Sequence, residues 1–214
     1  MKTKFNNDSI SKNNKSDIMN TSNIESTDRK MRSSRRMIEI VKVDNVVNEK
    51  IEELLGKEVY NNINEIIPVN QAFSNVKLIG LFFCSVWASP CKLIANELIE
   101  LYNETNQGIK NLEIIQITLE KDLLPGDCNK DENERIRKEG ENIFKSKIQD
   151  FPWLFYQYNN ETCRNLKEKF NIKNVPQLII LDEYCNILTK EGVKEYFQYG
   201  VDIGEKWMEL NKNK

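Results

Sequence analysis

The stretch Leu78-Ile79-Gly80-Leu81-Phe82-Phe83-Cys84-Ser85-Val86 is mostly apolar and of buried-strand length, and a helical pattern begins directly after it. The join is Trp87-Ala88-Ser89-Pro90-Cys91, and apolar residues at helical spacing continue to Gln107. A strand that turns this sharply into a helix restricts the fold. The strand is expected at roughly 77–84, with Ser89 as helix N-cap, Pro90 at the first helical position and Gly108 just past the end. Cys91, Ile94 or Ala95, Leu98, and Leu101 or Tyr102 then form one inward stripe.

Further elements follow the same alternation. Leu112 to Leu119 reads as a second buried strand, and Gln177 to Asp182 as a third. Tyr184-Cys185-Asn186 turns into a hairpin partner, Ile187-Leu188-Thr189. Ile38 to Val43 has the pattern of an edge strand, Val47 to Leu55 that of a helix closed by Gly56, and 57–73 that of short strands and turns. Leu123 to Lys130 reads as a loop around Pro125-Gly126. Asp131 and Glu134 have capping-box spacing for a charged helix to about Ile148. Phe151 to Tyr156 is an aromatic loop or short strand. A helix over 161–171 carries Cys163, Leu166 and Phe170 on one face. The C-terminal stretch with Trp207 and Leu210 reads as a partly packed helix. Strands alternating with helices, then a hairpin, indicate an α/β sheet with helices on both faces.

The chain contains no histidine, which excludes Ser/His and Cys/His catalytic pairs. Its cysteines, Cys84, Cys91, Cys128, Cys163 and Cys185, lack the close pairing of zinc knuckles, so no metal and no cofactor is expected. An odd thiol count without a signal peptide predicts a reducing compartment, cytoplasmic or nuclear. No apolar run approaches the roughly 18–20 residues of a membrane span.

Residues 1–36 are expected to be a disordered basic tail. They hold nine Lys/Arg against four Asp/Glu, and sixteen Ser, Thr or Asn, leaving too little apolar surface to offset ordering. Arg29 to Arg36 fits either a nuclear-import or phospho-regulated segment or a solvated linker. The rest of the chain is weakly acidic, so no nucleic-acid binding is expected of the folded body. A globular domain is read over 37–200, with a C-terminal helical extension over 201–214.

From Leu54 to about Tyr196 the chain resembles the tryparedoxin and nucleoredoxin branch of the thioredoxin superfamily. The matching segments are Leu54-Leu55-Gly56-Lys57, Leu81-Phe82-Phe83 with Trp87-Ala88-Ser89-Pro90-Cys91, Phe151-Pro152-Trp153-Leu154, and Asn174-Val175-Pro176-Gln177-Leu178-Ile179-Ile180-Leu181. The resemblance implies a thioredoxin-like three-layer α/β/α sandwich with a central mixed sheet. It also implies a cis Val175–Pro176 bond beside the active-site turn. The chain departs from the family in three places. Ala88 stands where the family has its attacking cysteine, Ser89 stands where it has a proline, and about 120–150 is an extended insertion.

Cys91 is therefore the candidate catalytic residue, with two readings. At the second position of the helix, unpaired amides and the helix dipole favour a thiolate. Alternatively, the second cysteine of such a turn faces the core as a small inert hydrophobe. Cys84, at the strand end, is not expected to pair with it: a disulfide needs Cα atoms within about 7 Å, which a strand end and the next helix's first turn rarely allow while Trp87 also packs between them. Cys128 is expected to be the most exposed thiol, and Cys163 and Cys185 structural. Trp87, Ser89, Pro90, Val175, Pro176 and Trp153 are the candidate substrate-binding residues. In this reading the Val175 backbone pairs with an extended client peptide and the two tryptophans either flank that groove or simply pack.

Two functions compete. One is a client-binding or regulatory redox-family protein with little dithiol turnover, not an enzyme. The other is a monothiol-disulfide oxidoreductase working through Cys91 with glutathione or a partner thiol. The partners implied are protein or peptide thiols and disulfides. A third possibility, docking through the basic tail and the charged helix, has least support.

Overall fold

A computed structural model describes residues 49–119, 130–158 and 160–212. The basic tail, the strand read at Ile38–Val43, the loop around Pro125-Gly126 and Cys128 lie outside the described residues.

The central sheet is built from short apolar segments. In chain order its strands are β1 (Glu58–Tyr60), β2 (Ile66–Pro68), β3 (Leu78–Cys84), β4 (Leu112–Thr118), β5 (Leu154–Phe155), β6 (Gln177–Asp182) and β7 (Ile187–Thr189). They lie in the order β2-β1-β5-β4-β3-β6-β7. β3, β4 and β5 run parallel, while β1, β6 and β7 pair with their neighbours antiparallel. Every residue of β3 and β4 is buried, as expected for strands covered on both faces.

The two-residue period of the strands divides the core into two layers. Ile79, Leu81 and Phe83 of β3 pack on one face with Ile115, Ile117, Ile179 and Leu181. That face is covered by α1 (residues 49–55), α2 (Val69–Ala72) and α5 (Glu161–Lys169) through Leu55, Val69, Cys163 and Leu166. Leu78, Phe82 and Cys84 point to the other face. There they meet α3 (Ser89–Thr105), α4 (Lys130–Lys147), α6 (Gly192–Tyr199) and α7 (Ile203–Lys212) through Leu98, Phe144, Tyr196 and Trp207. Gly80 permits close approach on this second face, since a Cβ there would lie 3.0 Å from the Ile114 side chain. The result is a three-layer α/β/α sandwich with a mixed sheet.

α7 is the partly packed helix read from the sequence: Trp207 is fully buried and donates its indole N–H to Glu195 Oε2 at 2.7 Å, while Leu210 is half exposed. Burial of an indole whose one donor is satisfied favours docking over exposure. The capping-box reading is corrected. α4 is already helical at Lys130, so Asp131 lies in its first turn, where a carboxylate favours the helix dipole without capping it. Glu134 pairs forward with Arg137 at 2.9 Å instead of reaching back. The start of α3 is corrected as well.

Candidate functional site

The turn after β3 is held by its own backbone. The Ser85 carbonyl accepts from the Ala88 amide at 3.2 Å, and the Ala88 carbonyl accepts from the Cys91 amide at 3.0 Å. Ala88 is extended (φ −97°, ψ 109°) and is the N-cap of α3, with no side chain closing the cap. The cap thus falls one residue before Ser89, because the first helical hydrogen bond ends on Ala88. Ser89 and Pro90 open the helix as exposed residues, and Cys91 occupies its third position.

Cys91 lies inside. It is 4% exposed, and the Ser85 amide N–H donates to its sulfur at 3.3 Å. Burial pushes its thiol above the ordinary range, and the Ser85 hydrogen bond offsets this only in part. Of the two readings from the sequence, the geometry matches the buried, largely protonated thiol. The helix N-terminus is too weak a field to outweigh the loss of solvent. Cys84 is also buried, and its thiol is pushed higher still, first by burial and then by the neighbouring Cys91.

Both cysteines line one apolar cavity of about 150 Å³, together with Phe82, Ala88, Ala95, Ile143 and Phe151 and exposed Lys92 and Lys147. Cys84 and Gln116 therefore belong to the site, and sequence reasoning had left them out. The signal was available: in a two-residue strand period Phe82 and Cys84 share a face, and that face meets the Cys91 stripe of α3. Trp87 does not stand between the thiols. It is half-buried and turns toward α4, where a Cβ on Gly140 would lie 3.3 Å from its ring.

Val175 and Pro176 are half-buried at the entry to β6, and the bond between them is cis. The β3–β6 register ends at Phe83 opposite Gln177, so Pro176 enters the sheet one step along, beside the end of β3. Val175 packs against both core layers. Trp153, expected at a groove wall, is 1% exposed and belongs to the core. It stacks on Phe151 (centroids 5.0 Å apart, 9° between planes), meets Phe82 and Tyr102 edge-on, and donates its indole N–H to Gln116 Oε1 at 3.2 Å. Its large apolar surface and single donor are both satisfied inside, which is the physical reason for the correction. Cys163 is buried, and Cys185 is half-buried in the β6–β7 turn.

A family model described as thioredoxin-like matches residues 135–187. Curated relatives include probable nucleoredoxin 1 of Arabidopsis thaliana, 27% identical over 59% of this chain and 19% of that protein. Human nucleoredoxin is 26% identical over 53% of this chain and 22% of that protein. The chain thus spans about a fifth of the length of these relatives. Native tryparedoxin I of Crithidia fasciculata superposes with a TM-score of 0.55 at 19% identity, covering 70% of this chain and 92% of that one. The chain is similar to the tryparedoxin and nucleoredoxin branch of the thioredoxin superfamily. Measured against the two-cysteine turn of that branch, this thioredoxin-like chain has a methyl group at Ala88 and a buried thiol behind it.

Among the described residues no group of three or more Cys, Asp or Glu side chains is arranged to hold a metal ion. Among the same residues no helix is long and apolar enough to cross a membrane.

Proposed function

We propose that the chain is a client-binding or regulatory thioredoxin-like protein that has little dithiol turnover. The observation carrying this reading is the pairing of Ala88 at the cap position with Cys91 buried beneath it. Attack on a client disulfide needs an exposed thiolate, and Ala88 supplies none. What survives is the backbone of Val175 ahead of Pro176, and on the turn after β3 exposed Ser89 and Pro90 with half-buried Trp87. An extended peptide would add there as a short strand, held by main-chain hydrogen bonds that do not depend on a redox pair. The clients are proteins or peptides bearing thiols or disulfides, met in the cytoplasm or nucleus. The folded domain runs on through α7, whose Trp207 is buried in the core.

A second reading is favoured by the cavity that joins Cys91 to the surface at Lys92 and Lys147. Cys91 would exchange with oxidised glutathione, forming the Cys91–glutathione mixed disulfide and releasing one reduced glutathione. A second thiol would then reverse the step. A native-state thiol-labelling time course at several pH values separates the two. Client binding without turnover expects slow Cys91 labelling that climbs with pH through the ordinary thiol range without levelling. Monothiol catalysis expects rapid labelling that levels near neutral pH.

A further inference from the structure

The absent cysteine at position 88 does not leave Cys91 without a sulfur neighbour. Cys84 ends β3 on the face that packs against α3, and the two thiols share one apolar cluster and one cavity wall. The Ser85 amide that donates to the Cys91 sulfur at 3.3 Å belongs to the peptide unit directly after Cys84. Standard backbone lengths put that nitrogen about 2.4 Å from the Cys84 Cα, so the Cys91 sulfur lies within roughly 6 Å of it. A disulfide also sets the Cα atoms about 4.4–6.8 Å apart, so side-chain rotation at the strand end must bring the Cys84 sulfur onto that of Cys91. Trp87, which lies between them in sequence, carries its ring to Gly140 of α4.

We propose that Cys84 and Cys91 form a buried dithiol that a small neutral hydroperoxide oxidises to an internal Cys84–Cys91 disulfide. This inference goes beyond the client-binding reading and holds whether or not a peptide docks at Val175. The cavity determines the class of oxidant. Its walls are apolar, and both cysteines are only 4% exposed, so a protein disulfide cannot reach either sulfur while hydrogen peroxide or a small alkyl hydroperoxide can.

The chemistry balances in two steps. The Cys91 sulfur attacks the terminal peroxide oxygen, the O–O bond breaks, and a sulfenic acid forms while water or an alcohol leaves. The Cys84 sulfur then attacks the sulfenyl sulfur, the S–O bond breaks, and water leaves with the second thiol proton. Two electrons pass from the two sulfurs to the peroxide. Cys91 is the natural first attacker, because the Ser85 N–H stabilises its thiolate whereas Cys84 is the more strongly desolvated. Both thiols titrate high, so the reaction is slow at neutral pH and accelerates with alkalinity.

The test uses the full chain. Trypsin releases Leu78–Lys92 as one peptide holding both Cys84 and Cys91 and no other cysteine. After hydrogen peroxide and alkylation under denaturing conditions, that peptide is expected two hydrogen atoms lighter, with no alkyl tag, and to regain two tags on reduction. Cys84→Ser is expected to lose the internal link and to accumulate Cys91 oxyacids. Phenylarsine oxide, which needs two neighbouring thiols, is expected to remove both tags from the unoxidised protein without any redox step. Because both wild-type measurements stand without the variant, misfolding of Cys84→Ser leaves the proposal testable. Three outcomes would overturn it: both thiols still taggable after peroxide, Cys91 over-oxidised beside a free Cys84, or either cysteine linked instead to Cys128, Cys163 or Cys185.

Discussion

Gly140 of α4 lies against Trp87 of the turn, with room for no side chain between them: a Cβ built on the glycine would sit 3.3 Å from the Trp87 ring and overlap the Tyr158 hydroxyl. α4 thereby covers one flank of the site. Gly140→Ala gains about 0.5–1 kcal/mol of helix propensity and loses about 1–3 kcal/mol to overpacking. The difference is a net loss of up to about 2.5 kcal/mol, read from the urea midpoint. Tyr158→Phe in the same chain is expected to recover part of it, since it removes the oxygen that the new methyl meets. A Gly140→Ala protein more stable than wild type would mean that α4 does not seat on Tyr158 and Trp87.

Trp153 and Trp87 should behave differently when shortened. Trp153→Phe leaves Gln116 Oε1 without its indole donor and opens space between Phe82, Tyr102 and Phe151. The expected cost is about 2–4 kcal/mol, measured by chemical denaturation. Trp87→Phe, at a half-buried position, should cost less. If Trp153 were a groove wall, its substitution would weaken client binding and leave stability unchanged.

Stability should fall in alkali. Burial pushes the Cys163 thiol up to about 12, and Cys185, through burial and nearby Asp182, up to about 11. An unfolded thiol ionises near about 8.5, so above that pH the unfolded chain releases protons that the folded chain retains. The stabilisation is complete below about pH 8.5 and is lost progressively as pH rises toward the folded values. Urea midpoints at pH 7, 9 and 10 should decline in that order. Cys163→Ala should flatten the decline even if it lowers the midpoint at pH 7.

Strong periodicity made most of the fold legible. Leu78–Cys84, Leu112–Thr118, Gln177–Asp182 and Ile187–Thr189 are strands within a residue or so of where their apolar patterns place them. The α3 stripe of Cys91, Ile94, Ala95, Leu98, Leu101 and Tyr102 is buried throughout. What escaped was set by tertiary contact. The helix cap moved to Ala88 because one backbone hydrogen bond, not side-chain preference, decides where α3 begins. From the sequence Trp153 fits either a groove wall or simple packing, and the partner that decides it, Gln116, is 37 positions away on β4. Trp207 is likewise held by Glu195 of α6. Within the candidate site, the turn itself was legible. The shared cavity of Cys84 and Cys91 was signalled by the strand period that puts Phe82 and Cys84 on one face, and only the direction of Trp87 needed the structure.

The central claim is that the turn lacks an attacking thiol but is otherwise built to carry one. Its most direct test is insulin disulfide reduction, with dithiothreitol as electron source, by wild type and by Ala88→Cys, both shown to be folded by circular dichroism. The account predicts no turnover above background for wild type and at least weak, Cys91-dependent turnover for Ala88→Cys. Robust wild-type turnover that disappears in both Cys84→Ser and Cys91→Ser, or a folded Ala88→Cys protein that stays inert, would contradict it.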